Sequence, residues 1–188
     1  NDSEIPAPVV YSKFQRWFDE NNHRKFFAWV HFYDPHKPYN APREYREKFK
    51  DDNEGRYDAE VAITDEYVGK IIEALKTKNV LENTLVVIVG DHGEGFGEHQ
   101  EYGHGIFCYE EVLNVPLVFY NPRLFPKPHQ VKNRVTMVDL MPTILETSKT
   151  FGRLGTSGGV TTHETMGNLP LQNWRLGRWE EGAKKISG

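Results

Sequence analysis

A single cysteine, Cys108, occurs in the 188 residues, which excludes an internal disulfide and leaves the redox compartment open. No apolar run approaches the roughly 20 residues of a membrane helix, and no charged-then-apolar leader follows the abrupt start at Asn1. No membrane segment is therefore expected in this chain, and its localisation stays unassigned. Charge of either sign is not in excess: 23 basic against 27 acidic residues give a net charge of -4. Without a basic face, nucleic acid is not an expected partner. Cysteine pairs are absent, so a structural zinc site of the finger type is excluded too. What is present is enough for a core, with 38% hydrophobic and 13% aromatic residues in a chain of one domain's length. Eight histidines are the unusual count, and their positions carry the argument.

Apolar spacing predicts a helix over residues 8–22, with Val9, Phe14, Trp17 and Phe18 on one side and Asn21-Asn22 as the stop. The aromatic and β-branched run 25–32, KFFAWVHF, reads as a buried strand that ends at the turn-prone Asp34-Pro35. A short charged helix follows over 43–50. From 57 to 76 Tyr57, Val61, Val68, Ile72 and Leu75 form one helical stripe. Asp65 lies on that stripe, as expected of a carboxylate hydrogen-bonded to a neighbouring loop. The run 84–89, TLVVIV, is apolar on both faces, as in a central strand of a parallel sheet. A further strand spans 115–120 and closes at Asn121-Pro122. Residues 135–145 read as a strand end leading into a helix, with Pro142 near its first turn. Half of the sixteen glycines lie beyond Thr150, so residues 148–188 are expected to be an atypical tail after a catalytic portion spanning 1–147.

Ligands of open α/β sheets bind beyond the carboxyl ends of the strands. Two of the expected strands end in polar clusters: one in Gly90-Asp91-His92-Gly93, the other in His31, Asp34 and His36. Asp91 and His92 offer an oxygen and a nitrogen ligand on neighbouring residues, a pair suited to zinc or manganese more than to calcium. Taken alone, the dipeptide reads more simply as a helix-capping Asp beside an exposed His. It stands, however, in DHGEGFGEHQEYGHG, residues 91–105, with five glycines and three histidines. A glycine-rich loop directly after a strand brings backbone and side chains close to a ligand. Either His99 or His104 suits binding or protonation of a departing oxyanion.

Five blocks, HFYDPHKPY (31–39), YDAEVAITDEYVGKIIEAL (57–75), NTLVVIVGDHGEGFGEHQEYGHG (83–105), VPLVFYNP (115–122) and TMVDLMPTILE (136–146), follow one another in the order and spacing of sulfatases. The chain thus resembles the carboxy-terminal portion of a sulfatase catalytic domain, in the alkaline-phosphatase superfamily, over roughly 8–147. The resemblance implies a partial α/β sandwich: a mostly parallel central sheet with helices on both faces. It implies Asp91 and His92 as two ligands of a divalent metal. Manganese or zinc is favoured by histidine at 92, where many sulfatases place asparagine and bind calcium or magnesium. His36 is similar to a histidine that contacts the substrate oxyanion or leaving group. His104 stands where many sulfatases place a sulfate-gripping lysine, and would also serve as a general acid. His31 and His99 receive no role beyond bracing a loop.

Two family features are not found. No Asp-Asp pair precedes the first block, and no Cys/Ser-x-Pro-x-Arg nucleophile motif occurs; Cys108 sits in FCYEE and reads as a small packing residue. The expectation is therefore part of an active site, acting on a small-molecule sulfate or phosphate ester. The family also leaves open a phosphatase or phosphonate-ester hydrolase, a phosphoglycerol or phosphoethanolamine transferase, or a non-catalytic piece. Oligomeric state is equally open.

Overall fold

The computed structural model describes residues 5–154. Helices α1 (Ala7–Asn21), α2 (Arg43–Arg46) and α3 (Asn53–Thr77) are followed by strands β1 (Val86–Val89), β2 (Gly95–Phe96) and β3 (Tyr102–Gly103), then by helix α4 (Glu110–Leu113), strand β4 (Leu117–Tyr120) and helix α5 (Leu140–Leu154). The fold is α/β. Within the described residues it divides into two compact units. One takes the chain up to Leu81 together with His92–Leu113, the other Glu82–Asp91 together with the chain from Asn114 on.

In the first unit α1 and α3 pack together. Pro6 caps α1 and Pro8 lies in its first turn, where a missing amide costs nothing. Phe14 and Phe18 are buried and stacked at 5.3 Å, and the Phe26 ring meets Phe18 edge-on at 5.8 Å. The Asp52 side chain caps α3 by accepting from the Gly55 amide at 2.8 Å. A Cβ at 55 would stand 2.1 Å from the Lys50 carbonyl oxygen, so only glycine lets the chain fold back there. Asp65 is half-buried, and burial raises its carboxyl above the ordinary value. The loop hydrogen bond expected for it does not form: its carboxylate has no partner among the described residues.

The strand expected over 25–32 is not there. No strand forms in that run, and Phe27 and Trp29 are 78% and 79% exposed. Strand composition supplies side chains that suit a sheet, but the backbone needs a neighbouring strand, and none among the described residues pairs with it. Cys108, expected to pack, is exposed as well.

In the second unit β1 pairs with β4, Val86 opposite Tyr120 and Val89 opposite Leu117, and the pairing is antiparallel. The parallel order expected for the sheet does not appear among the described residues, where the other pairing, β2 with β3, is antiparallel too. With one neighbour only, β1 is half-buried rather than covered on both sides, and Val89 is 37% exposed. The turn after β4 is locked by the fully buried Asn121. Its Nδ2 donates to the carbonyls of Glu82 and Thr84, each at 2.9 Å, and its Oδ1 accepts from the amides of Arg123 and Leu124. Thr136 and Asp139 form a reciprocal capping box before α5. The expected strand end before this helix is instead a short 3₁₀ turn, Met137–Asp139. Of the tail expected over 148–188, the stretch to Leu154 completes α5 and the remainder lies outside the described residues. No helix among the described residues is long and apolar enough to cross a membrane.

Candidate functional site

Three imidazoles of the first unit come together. The rings of His92 and His104 stack with centroids 3.8 Å apart, and His36 meets His104 edge-on at 5.8 Å. Sequence separation between His36 and His104 is closed by two loops, each pinned by buried carboxylates.

The first loop is residues 34–39. Asp34 Oδ2 accepts from the Ala7 amide at the start of α1, at 3.0 Å. The His36 amide donates to Oε2 of Glu60, a buried carboxylate of α3, at 3.0 Å. The Thr64 hydroxyl reaches the Asp34 carbonyl at 3.3 Å. Tyr39 is buried, in the left-handed region at φ 27°, and its hydroxyl donates to Glu94 Oε2 at 2.7 Å. Helix α3 thus acts as a rail on which the loop is laid, one turn after another.

The second loop is the glycine-rich run, and it is more regular than expected. Strands β2 and β3 form a small hairpin with Gly95 opposite Gly103 and Phe96 opposite Tyr102. One step beyond that register stand Glu94 and His104. Glycine at 103 is required because the backbone there has φ +100°. Glycine at 93 is required by space: a Cβ would lie 2.0 Å from the Glu111 carbonyl oxygen, and the Gly93 amide donates to the Val112 carbonyl at 2.7 Å. So α4 clamps the segment that carries His92.

The electrostatics centre on Glu94. Burial by itself raises its carboxyl. Hydrogen bonds from Tyr39 and His104, with the charges of His104 and Lys37, outweigh it and hold the group below the ordinary value. Glu94 is therefore an anion at neutral pH. The same contact works oppositely on Tyr39, whose hydroxyl is pushed well above its usual range, first by burial and then by Glu94.

Each of the three histidines has its Nδ1 against an oxygen that has no proton to give. Nδ1 of His36 lies 2.8 Å from the Lys37 carbonyl, that of His92 2.8 Å from the Gly93 carbonyl, and that of His104 3.1 Å from Glu94 Oε1. Nδ1 is thus the donor in all three, and in the neutral ring the lone pair sits on Nε2. This is the tautomer that a metal ligand or a proton-accepting imidazole needs.

His36, His92 and His104 lie together in the first unit. Asp91 is exposed and directly follows Gly90 at the end of β1. His99 braces its loop, as expected, by stacking on Tyr109 at 4.1 Å and pairing with Glu111 at 3.3 Å. His31 is exposed. Sequence reasoning missed Glu94, Tyr39 and Glu60. No sequence pattern marked Glu94: it is the hairpin pairing of Gly95 with Gly103, in strands only two residues long, that sets residues 94 and 104 side by side. Whether a metal ion fits can be tested on the donors present. Asp91 and His92 offer two donors, but no group of three or more His, Cys, Asp or Glu among the described residues is arranged to hold an ion. Catalytic ions normally take at least three protein ligands. The two donors fall short of that number.

The sulfatase family model matches residues 7–149. The dog (Canis lupus familiaris) arylsulfatase K is 38% identical over 90 residues, which are 48% of this chain and 16% of that protein. A Δ4,5-hexuronate-2-O-sulfatase of Bacteroides thetaiotaomicron is 31% identical over 154 residues, covering 77% of this chain and 26% of that enzyme. The crystal structure of a putative sulfatase, yidJ, from Bacteroides fragilis superposes with a TM-score of 0.63 at 30% identity, over 74% of this chain and 36% of that one. The chain spans well under half the length of each of these relatives. By fold, by blocks and by family match, the chain belongs to the sulfatase family of the alkaline-phosphatase superfamily.

Proposed function

We propose that this chain contributes to metal-dependent hydrolysis of sulfate esters, with His36 and His104 gripping the ester and Asp91 and His92 holding a divalent ion. The observation that supports it most is the convergence of His36, His92 and His104, with Nδ1 engaged in each. A bound ion supplies Lewis-acid polarisation of an ester oxygen. The chain's own residues do the rest of its share. His36 and His104, when protonated, donate from Nε2 to the oxyanion and to the departing alcohol oxygen. Glu94 lies beside His104 and Lys37, and its negative charge offsets one of their positive charges. Residues 1–147 form the catalytic portion in this reading, and they carry only part of the site, since the nucleophile motif is not among them.

Histidine at 92 favours manganese or zinc over calcium or magnesium. It also supports a second reading, hydrolysis of a phosphate ester by the same groups. The test is a titration of the chain with each of these four metals, followed by assays with an aryl sulfate, a 2-O-sulfated hexuronate and an aryl phosphate. Asp91→Ala and His104→Ala are the controls. The expected result is weak binding of manganese or zinc that Asp91→Ala removes, and slow turnover, faster on sulfate than on phosphate. Metal binding unchanged in Asp91→Ala would sink the ligand assignment. Fast turnover abolished by Asp91→Ala would mean that the site is complete as it stands.

A further inference from the structure

The contact between Glu94 and His104 fixes more than a loop. His104 stacks face-on against His92, so its ring plane is set, but two orientations within that plane remain, related by a flip of the ring. The flip would exchange Nδ1 for a carbon at the position 3.1 Å from Glu94 Oε1 and leave a buried anion facing C–H. Glu94 cannot swing away to escape this. Its side chain is 4% exposed, and its other oxygen is held by the Tyr39 hydroxyl at 2.7 Å in the protein interior. Removing a partner from a buried charge is costly, so one orientation is strongly preferred.

We propose that Glu94 is the positioning residue of this site: its buried carboxylate, anchored by Tyr39, fixes the flip and tautomer of His104 so that Nε2 faces the ester. Glu94 touches neither substrate nor metal; it acts through His104, as the third member of a nucleophile–base–orienter chain acts through the base. The inference rests on the reading of His104 as an ester-binding group, and its test separates the two.

The measurement is the two-bond ¹H–¹⁵N spectrum of the histidines in the full ¹⁵N-labelled chain, at about pH 9, above the ordinary imidazole range. Wild type is compared with Glu94→Gln, Tyr39→Phe and, for assignment, His104→Gln. The His104 ring of wild type is expected to carry its proton on Nδ1. In Glu94→Gln the amide keeps the packing, but its oxygen is taken by Tyr39 and its NH₂ faces the ring, so the proton moves to Nε2. Tyr39→Phe leaves the carboxylate in place but unanchored, and gives a mixture. A purely structural role for Glu94 would change stability and leave the His104 tautomer alone. A wild-type His104 protonated on Nε2, or unchanged in Glu94→Gln, overturns the proposal. Inorganic sulfate, added to each sample at about pH 5, below the ordinary imidazole range, where Nε2 carries a proton, reads the other claim. A shift of His104 that needs about tenfold more sulfate in Glu94→Gln supports both. A Glu94-dependent tautomer with no response to sulfate upholds the positioning role and overturns ester binding by His104.

Discussion

Two stretches of the first unit, 25–32 and 94–104, show opposite relations between composition and order. The first is rich in aromatic and β-branched side chains, yet forms no strand and leaves Phe27 and Trp29 in solvent. The second is mostly glycine and charge, yet it forms a hairpin, buries Glu94 and aligns His104. What separates them is partners. In the glycine-rich run Glu94 is bonded by Tyr39 and the two short strands pair with each other, while α4 accepts from the adjacent Gly93 amide. The aromatic run has no paired strand among the described residues. Local order in this unit follows satisfied polar groups more than side-chain propensity.

The largest effect that would break this comparison lies at position 93. Gly93→Ala forces a methyl against the Glu111 carbonyl oxygen at 2.0 Å. It should cost about 3 kcal/mol, the upper end for forced overpacking, in a denaturant midpoint. Near-normal stability would mean that α4 does not clamp this segment.

Next comes Tyr39→Phe, which strips the hydroxyl from the buried Glu94 carboxylate and should cost about 1–3 kcal/mol. The sign of its pH dependence follows from Glu94. Its folded value is depressed, so the bond contributes fully above the ordinary carboxylate range and is lost as pH falls through the folded value. The gap between wild type and variant, measured by thermal melts, should therefore close in acid.

Asp65 should behave in the reverse way and more weakly. Burial raises its carboxyl, so the folded state disfavours the charge once pH rises through the shifted value. Asp65→Asn should raise the melting temperature slightly at neutral pH and not at all in acid, the gain being small because the group is partly in water. Smallest of all, Trp29→Ser and Phe27→Ser should each stay within about 0.5 kcal/mol of wild type, as surface changes do. A loss of 2 kcal/mol or more, far beyond that surface range, would show that the aromatic run is packed after all.

The helices were legible because apolar spacing and caps agree: Phe14 and Phe18 lie on the side of α1 that the pattern marks, and Asp52 caps α3. Strand β4 was legible from its apolar run and from Asn121-Pro122. The antiparallel pairing of β1 was not, since an apolar strand carries no mark of its neighbour's direction. The hairpin was hidden because two-residue strands show no alternation, and Glu94 was hidden with it. Of the candidate site, the histidines at 36, 92 and 104 could be singled out by their place after strands and by family resemblance. The carboxylates that hold them could not, because burial and partners belong to tertiary structure.

The central claim is that His92 takes up a divalent ion within a cluster that includes His104 and His36. Paramagnetic broadening tests it most directly. Manganese added well below one equivalent to ¹⁵N-labelled chain should broaden the His92 and His104 ring signals first and His36 next. The exposed His23, which makes no ring contact with the cluster, should stay sharp. Asp91→Ala should weaken the effect. Uniform broadening of every histidine, or loss of His23 before His92, would contradict the account.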